Sequence, residues 1–308
     1  MIKKLEGQKL IDKNEIVRVK ETGNILELMN MEKWNCKQTI RKINAEWYEI
    51  ISTGEVREIQ HIENRSEDMK SIRRSLGNLR DLLNTNIIDP KNCRWLTRTY
   101  AENMKDPRRL YDDSKDFHRR LRKVYGNYEY ITVAEPQGRG AWHTHDILIF
   151  EGQAPYISNE EMKLAWRQGF VTVKRLDDVD NVGAYLTAYL GDMEIQEAVE
   201  TLGIHEINTG KFQIKEIETF DDGGKPLKKA FLKGARLHMY PPKFNLYRYS
   251  RGIKKPSIVR MTEGAAEEKA KGATLTFEKT VLITDPSTDY ENTINYRYYN
   301  KARKKSNP

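Results

Sequence analysis

A chain of 308 residues is long enough for one large domain or two modest ones, and 38% hydrophobic content with five Trp, sixteen Tyr and eight Phe excludes a disordered polymer. The net charge of +8 and pI near 9.2 suit a polyanionic partner, although a merely soluble basic surface has the same balance. Cys36 and Cys93 are the only cysteines, which rules out a disulfide framework or a cysteine-built zinc site. With no signal-like apolar start and no apolar run of about 18 residues, a cytoplasmic protein with no membrane partner is expected.

In chain order, two helices are expected in the first 88 residues. One is MEKWNCKQTIRKINAEWYEII at 31–51, and the other is SEDMKSIRRSLGNLRDLLNTN at 66–86. In the second, Met69, Ile72, Leu76, Leu79 and Leu83 fall at helical spacing, although Ser66 lacks the acidic partner of a capping box. CRWLTRTYA from Cys93 is β-branched and aromatic and predicts a strand. PRRLYDDSKDFHRRLRKVYG predicts a helix with Leu110, Phe117, Leu121 and Val124 on one face. YEYITVAE and WHTHDILIF predict two strands joined by the turn PQGRGA. SNEEMKLAWRQG predicts a helix whose capping box is Ser158 with Glu161, FVTVKRL a strand, and DNVGAYLTAYLGD a short helix between Asp180 and Gly191.

The order strand–helix–strand–strand–helix–strand is that of a split βαβ, ferredoxin-like α+β domain with a mainly antiparallel sheet. Helices on one face of such a sheet leave the other face for a site. Beyond it the charge swings twice. Residues 192–222 hold nine acids and two lysines, whereas residues 225–255 hold seven Lys and three Arg with no acid. In the basic stretch Phe231, Tyr240, Phe244, Tyr247 and Tyr249 alternate with cations, as in grooves where rings stack on bases and cations track phosphates. ATLTFEKTVLIT predicts a late strand, and RYYNKARKKSNP reads as a disordered basic tail.

Three features carry chemistry. His143 and His145, two apart on a predicted strand, leave the same face, as a pair of metal ligands must; exposed strands also carry such pairs as ordinary polar residues. Glu135 ends the preceding strand and lies beside them if the two strands form a hairpin. A His-His-carboxylate set leaves coordination positions for water and phosphate oxygens. Tyr185 and Tyr189 are four apart, on one face of the short helix, as a nucleophile pair or as a packing stripe.

Glu135, His143-Thr-His145 and Tyr185-x-x-x-Tyr189 together resemble the HUH endonucleases, and among them the rolling-circle replication initiators of plasmids, small phages and integrative elements. WLTRTYAEN is similar to their first motif, VAEPQGRGAWHTHDILIF to their metal motif and NVGAYLTAYL to their tyrosine motif, over about residues 90–195. The resemblance implies that Glu135, His143 and His145 hold Mg²⁺ or Mn²⁺ on the scissile phosphate. It further implies that Tyr185 or Tyr189 attacks, giving a 5′-phosphotyrosine link and a free 3′-OH. Origin or single-stranded DNA is the implied partner.

The lysine that often follows a tyrosine by three places in this family is absent, Ala188 and Asp192 standing there, so Arg139, Lys174 or Arg175 are the candidates to offset phosphate charge. Arg236, Tyr247, Arg248 and Arg251 are the DNA-contact candidates in the basic stretch. No GxxxxGK[ST] loop exists, so no nucleotide cofactor is expected and a host helicase and DNA polymerase would be needed. The implied organisation is a helical accessory region at 1–88, an endonuclease domain at 89–195, an acidic-then-basic DNA-contacting extension at 196–260, and a C-terminal segment with a basic tail at 261–308. The alternatives are a mobilisation relaxase or single-strand transposase, and a non-catalytic DNA-binding regulator.

Overall fold

The computed structural model describes residues 2–5, 11–34, 38–61, 68–176, 183, 190–203, 213–220, 226–285 and 290–303. The chain opens with strands β1 (Ile2–Leu5), β2 (Ile16–Thr22), β3 (Ile25–Met31), β4 (Ile40–Lys42), β5 (Trp47–Ile50) and β6 (Val56–Glu58). Helix α1 (Met69–Asn86), β7 (Cys93–Tyr100), α2 (Pro107–Tyr125), β8 (Glu129–Pro136), β9 (Trp142–Ile149), α3 (Asn159–Trp166) and β10 (Gly169–Arg175) follow. Then come β11 (Met193–Glu194), α4 (Ile195–Leu202), β12 (Ile214–Phe220), β13 (Pro226–Leu232) and β14 (Tyr247–Tyr249). The chain closes with β15 (Ser257–Thr262), α5 (Glu263–Ala270), β16 (Thr274–Asp285) and β17 (Tyr290–Asn300). Among the described residues, no helix is long and apolar enough to cross a membrane.

These elements form two compact units, Met1–Ile62 with Pro256–Pro308, and Glu63–Lys255. The first holds a six-stranded sheet in the order β1-β16-β17-β3-β2-β15. Its core is Val17, Val19, Leu26 and Leu28 against Ala266 and Ala270 of α5. The helix expected at 31–51 is instead part of a meander, β4-β5-β6, because β-branched and aromatic residues pair across short turns; Trp47 stands opposite Glu58. The expected disordered tail also begins later than its composition suggests. Arg297 to Asn300 belong to β17, and the buried Arg297 guanidinium pairs with Glu263 at 2.5 Å. The predicted strand at 273–284 is β16.

The second unit is built on a mainly antiparallel sheet in the order β10-β7-β9-β8-β14. The other elements predicted between 66 and 176 form where expected, each with a local cause. Asp68, not Ser66, caps α1 through the Ser71 amide. Asp106 caps α2, Pro107 occupies its first turn, and Gly126 ends it. Ser158 and Glu161 form the expected capping box of α3. A smaller sheet, β11-β13-β12, packs with α4 around Met193, Ala198, Leu232 and Ala235.

Alternation along the strands gives the sheet two chemically different faces. On one, Leu96, Tyr100 and Leu148 pack with Leu110, Phe117 and Leu121 of α2 and Met162 and Trp166 of α3. On the other, Cys93, Ile131 and Ile147 meet Leu79, Leu82 and Leu83 of α1. The expectation of one free face is therefore met only in part, since α1 covers one end of it. Buried Cys93, its thiol pushed up to about 12 by burial, packs here as an apolar residue.

The helix-covered face contains a buried ion pair. Asp146 accepts from Arg98 Nε at 2.7 Å and Nη2 at 2.9 Å, with both side chains wholly buried, and also from the Thr132 and Thr144 hydroxyls. The Arg98 guanidinium lies over the rings of Phe117 and Trp166. Removing one partner strands a buried charge, so Asp146→Ala is expected to destabilise the protein by about 3–5 kcal/mol in urea unfolding. His118, 3.4 Å from Asp146, is pushed down to about 4 by burial, against the opposing pull of that carboxylate. The unfolded chain then binds the extra proton first. The stabilisation is complete above about pH 6.5 and disappears as pH falls toward 4, by about 3 kcal/mol in all. Melting temperatures measured across that window should fall in the wild type and fall less in His118→Gln.

Candidate metal centre

The hairpin β8–β9 determines the site. Its antiparallel register sets Glu135 opposite His143 and Val133 opposite His145, while on the other side Thr99 opposes His143 and Thr97 opposes His145. Directly opposed residues share a face, so the carboxylate and both imidazoles stand together. The turn that joins the strands is closed by Gln137 N–H to Ala141 O at 2.8 Å and Gly140 N–H to Gln137 O at 2.7 Å.

Ligand atoms from the three side chains lie within 4.8 Å of one another. His143 Nε2 is 3.1 Å from His145 Nε2, and Glu135 Oε2 is 3.4 Å from the former and 3.5 Å from the latter. Ligands on a single ion at about 2.1 Å are separated by about 3.0–3.4 Å, so the triad is close to the size of a coordination shell. Three protein ligands leave positions open to a substrate, and the donor set of one carboxylate and two imidazoles suits Mg²⁺, Mn²⁺ or Zn²⁺. His143 Nδ1 is buried with no hydrogen-bond partner, a cost of about 1–3 kcal/mol that a purely structural strand would not need to carry.

The surroundings orient the ligands. Thr97 Oγ1 is 3.1 Å from His145 Nδ1, and the Trp95 indole N–H donates toward the same nitrogen at 3.4 Å. The tautomer that leaves the Nε2 lone pair for an ion donates from Nδ1 to Thr97. The other oxygen of Glu135 accepts from Gly191 N–H at 3.1 Å and lies 3.7 Å from Arg236 Nε. Burial alone would raise the Glu135 carboxyl. Hydrogen bonds from His143 and His145 and the charge of Arg236 outweigh it and hold the carboxyl far below its usual range. Burial pushes His143 down, and Glu135 only partly opposes this, so its imidazole stays neutral and able to bind a metal.

The proposed DNA contacts are scattered. Arg139 is exposed in the hairpin turn, with Nη2 donating to Tyr100 O at 3.1 Å. Lys174 pairs with Trp95 and so stands on the metal face, whereas Arg175 pairs with Arg94 on the reverse face. Tyr247 pairs with Val133 in the cross-strand row of His145, and the exposed Arg248 pairs with Thr132 on the reverse face. Arg251 is exposed in the turn after β14. Arg236 is largely buried instead, donating to Pro136 O and Asp192 O at 2.8 Å and bonded to Glu197. Tyr240 and Phe244, two rings expected to meet bases, belong to the core, where Phe244 stacks on Trp142 at 4.5 Å.

Tyr185 and Tyr189 lie outside the described residues, but both ends of their segment are anchored. Gly183 N–H donates to Asn84 Oδ1 at 2.8 Å, and a Cβ there would meet Arg80 O of α1 at 2.5 Å, so only glycine fits. At the other end the Gly191 amide reaches Glu135, in a left-handed conformation (φ 82°) that suits a helix stop. Sequence reasoning missed Trp95, Thr97, Arg236 and Gly191. The alternation W-x-T in the first motif was a usable signal for the first two, while the others are long-range contacts.

Residues 93–194 match the family model for the replication-associated protein ORF2 group. No curated protein and no solved structure matches the chain.

If the triad is the metal centre, His143→Ala and His145→Ala should each abolish binding of Mn²⁺ in calorimetric titration. Glu135→Ala should weaken binding less, since water can replace one of three ligands. Undiminished titration by the His143→Ala, His145→Ala double variant would remove these residues from the role.

Proposed function

We propose that the chain is a replication initiator that nicks one DNA strand at an origin by metal-dependent attack of a tyrosine, with residues 89–195 as its nuclease domain. The observation that carries this reading is the convergence of Glu135, His143 and His145 within the segment that matches the replication-associated family. The order β10-β7-β9-β8 with two crossover helices fits the split βαβ arrangement of such a domain.

The roles divide as follows. Glu135, His143 and His145 would hold Mg²⁺ or Mn²⁺, which when bound neutralises charge building on the phosphate oxygens. Tyr185 or Tyr189 supplies the nucleophile. Its Oη loses the phenol proton and bonds to phosphorus, the bond from phosphorus to the 3′ oxygen breaks, and that oxygen gains a proton. The product is a 5′-phosphotyrosine and a free 3′-OH. Since one ester replaces another, the reverse reaction rejoins the strand without ATP. Two peptide units separate Tyr189 from Gly191, whose amide bonds Glu135, so its Cα lies within about 7 Å of that glycine's. Lys174, on the same face as His145, and Arg139 in the adjoining turn supply positive charge for the strand.

Relaxases and single-strand transposases would need the same triad. The replication-associated match favours initiation over these. A non-catalytic regulator would have no use for a buried carboxylate facing two neutral imidazoles.

The decisive experiment incubates the protein with single-stranded DNA from its own genetic neighbourhood and Mn²⁺, then seeks an SDS-resistant adduct. Tyr185→Phe with Tyr189→Phe should leave a folded, DNA-binding protein that forms none, whereas at least one single variant should retain partial nicking. Mn²⁺ or Mg²⁺, but not Zn²⁺ alone, should restore the metal-free protein. A DNA remnant mapped to a serine, or to a tyrosine outside 185–189, would overturn the mechanism.

A further inference from the structure

On the reverse face of the same two strands, away from the metal row, lies a cavity of about 300 Å³ between α2 and the edge strand β14. It is at the small end of ligand pockets, which run from about 300 to 1,000 Å³. Its floor is formed by Thr132 and Thr144, next to Ser114 of α2 and the stacked pair of His118 and Tyr130, whose ring centres are 3.5 Å apart and nearly parallel. At its exposed rim are Lys115 and Arg248, with the Arg248 guanidinium 3.3 Å above the Tyr111 ring.

The hydrogen-bond polarity of this floor is defined by the ion pair beneath it. Thr132 donates its hydroxyl proton to Asp146 Oδ1 at 2.5 Å, and Thr144 donates to Oδ2 at 3.1 Å. Both threonine oxygens can therefore only accept from a ligand. Ser114 Oγ accepts from Arg98 Nη2 at 3.2 Å, which leaves its own proton to donate. Acceptors beside one donor match the edge of adenine or cytosine, where an exocyclic amine adjoins a ring nitrogen. The flat Tyr130–His118 and Tyr111–Arg248 pairs suit stacking on a base, and Lys115 and Arg248 suit its phosphate.

We infer that this cavity takes a single amine-bearing nucleobase, adenine or cytosine, from a DNA strand that passes round the β14 edge from the metal face. The source follows from β14 itself. Tyr247 stands in the cross-strand row of His145 while Arg248, its neighbour, pairs with Thr132 on the cavity side, so one short strand presents a ring to one face and a cation to the other. The inference rests on the reading of this protein as one that handles single-stranded DNA. It does not depend on cleavage.

Binding is measured in EDTA by fluorescence anisotropy with labelled (dA)₆, (dC)₆ and (dT)₆. The A and C oligomers should bind about tenfold more tightly than T. Ser114→Ala should remove most of that preference, and Lys115→Ala should weaken all three alike, each with an unchanged melting temperature. An oligomer carrying 5-iododeoxycytidine should photocrosslink to Tyr111 or Tyr130. Equal binding of the three oligomers, or crosslinks confined to residues of the metal face, would overturn the assignment. dCMP competing as strongly as (dC)₆ would also overturn it, by making the cavity a free-nucleotide site. The same titrations on His143→Ala, His145→Ala protein separate the two readings. Base preference without any adduct in the wild type sinks only the nicking mechanism, and an adduct without base preference sinks only the cavity.

Discussion

The register of β8 against β9 is the constraint from which both faces of the second unit follow. With Glu135 opposite His143, residues 131, 133, 135, 143, 145 and 147 share one face, and residues 130, 132, 134, 144, 146 and 148 share the other. A slip of one residue would turn the imidazoles into the helix-covered core and Asp146 toward the metal face. Such a slip buries two imidazoles without their carboxylate and strips Arg98 of its partner, so polar groups as well as apolar ones hold the pairing in place.

Charge is balanced separately on each side of this sheet. Beneath the helices, Arg98 and Asp146 are wholly buried, and the carboxylate also accepts from two threonine hydroxyls, so little of its hydrogen-bonding capacity is wasted. On the open side, Glu135 divides its oxygens, one toward the imidazoles and one toward Gly191 N–H and Arg236. Arg236 is itself held by two carbonyls and Glu197, and Glu197 also accepts from Gly138 N–H at 2.7 Å in the hairpin turn. The acidic stretch after Gly191 and the basic stretch after residue 225 therefore contribute supports for the candidate ligands, in addition to any contact with DNA.

Much of this was legible in local sequence. The predicted strands and helices between 66 and 176 depend on period, caps and turn residues, all encoded within a few positions, and the structure has them at those places. Alternation alone put His143 and His145 on one face, and the hairpin brought Glu135 beside them. Composition misled where a segment's partner is distant. The stretch 31–51 has the spacing of a helix, but Ile40, Trp47 and Val56 take their conformation from strands across short turns. Arg297 looked like part of a solvated tail because Glu263, which neutralises it, is 34 residues away.

By itself the sequence determined the antiparallel core, the candidate triad and the spacing of the tyrosine pair, because strand alternation and helical spacing are local and have fixed periods. Tertiary structure decided which cations face the site and which serve the scaffold. Arg236 and Arg248 belong to one basic stretch, yet one is clamped behind Glu135 and the other lies over Tyr111 at the rim of a cavity. A guanidinium's role depends on which carboxylate, carbonyl or ring the fold brings to it, and no local period encodes that.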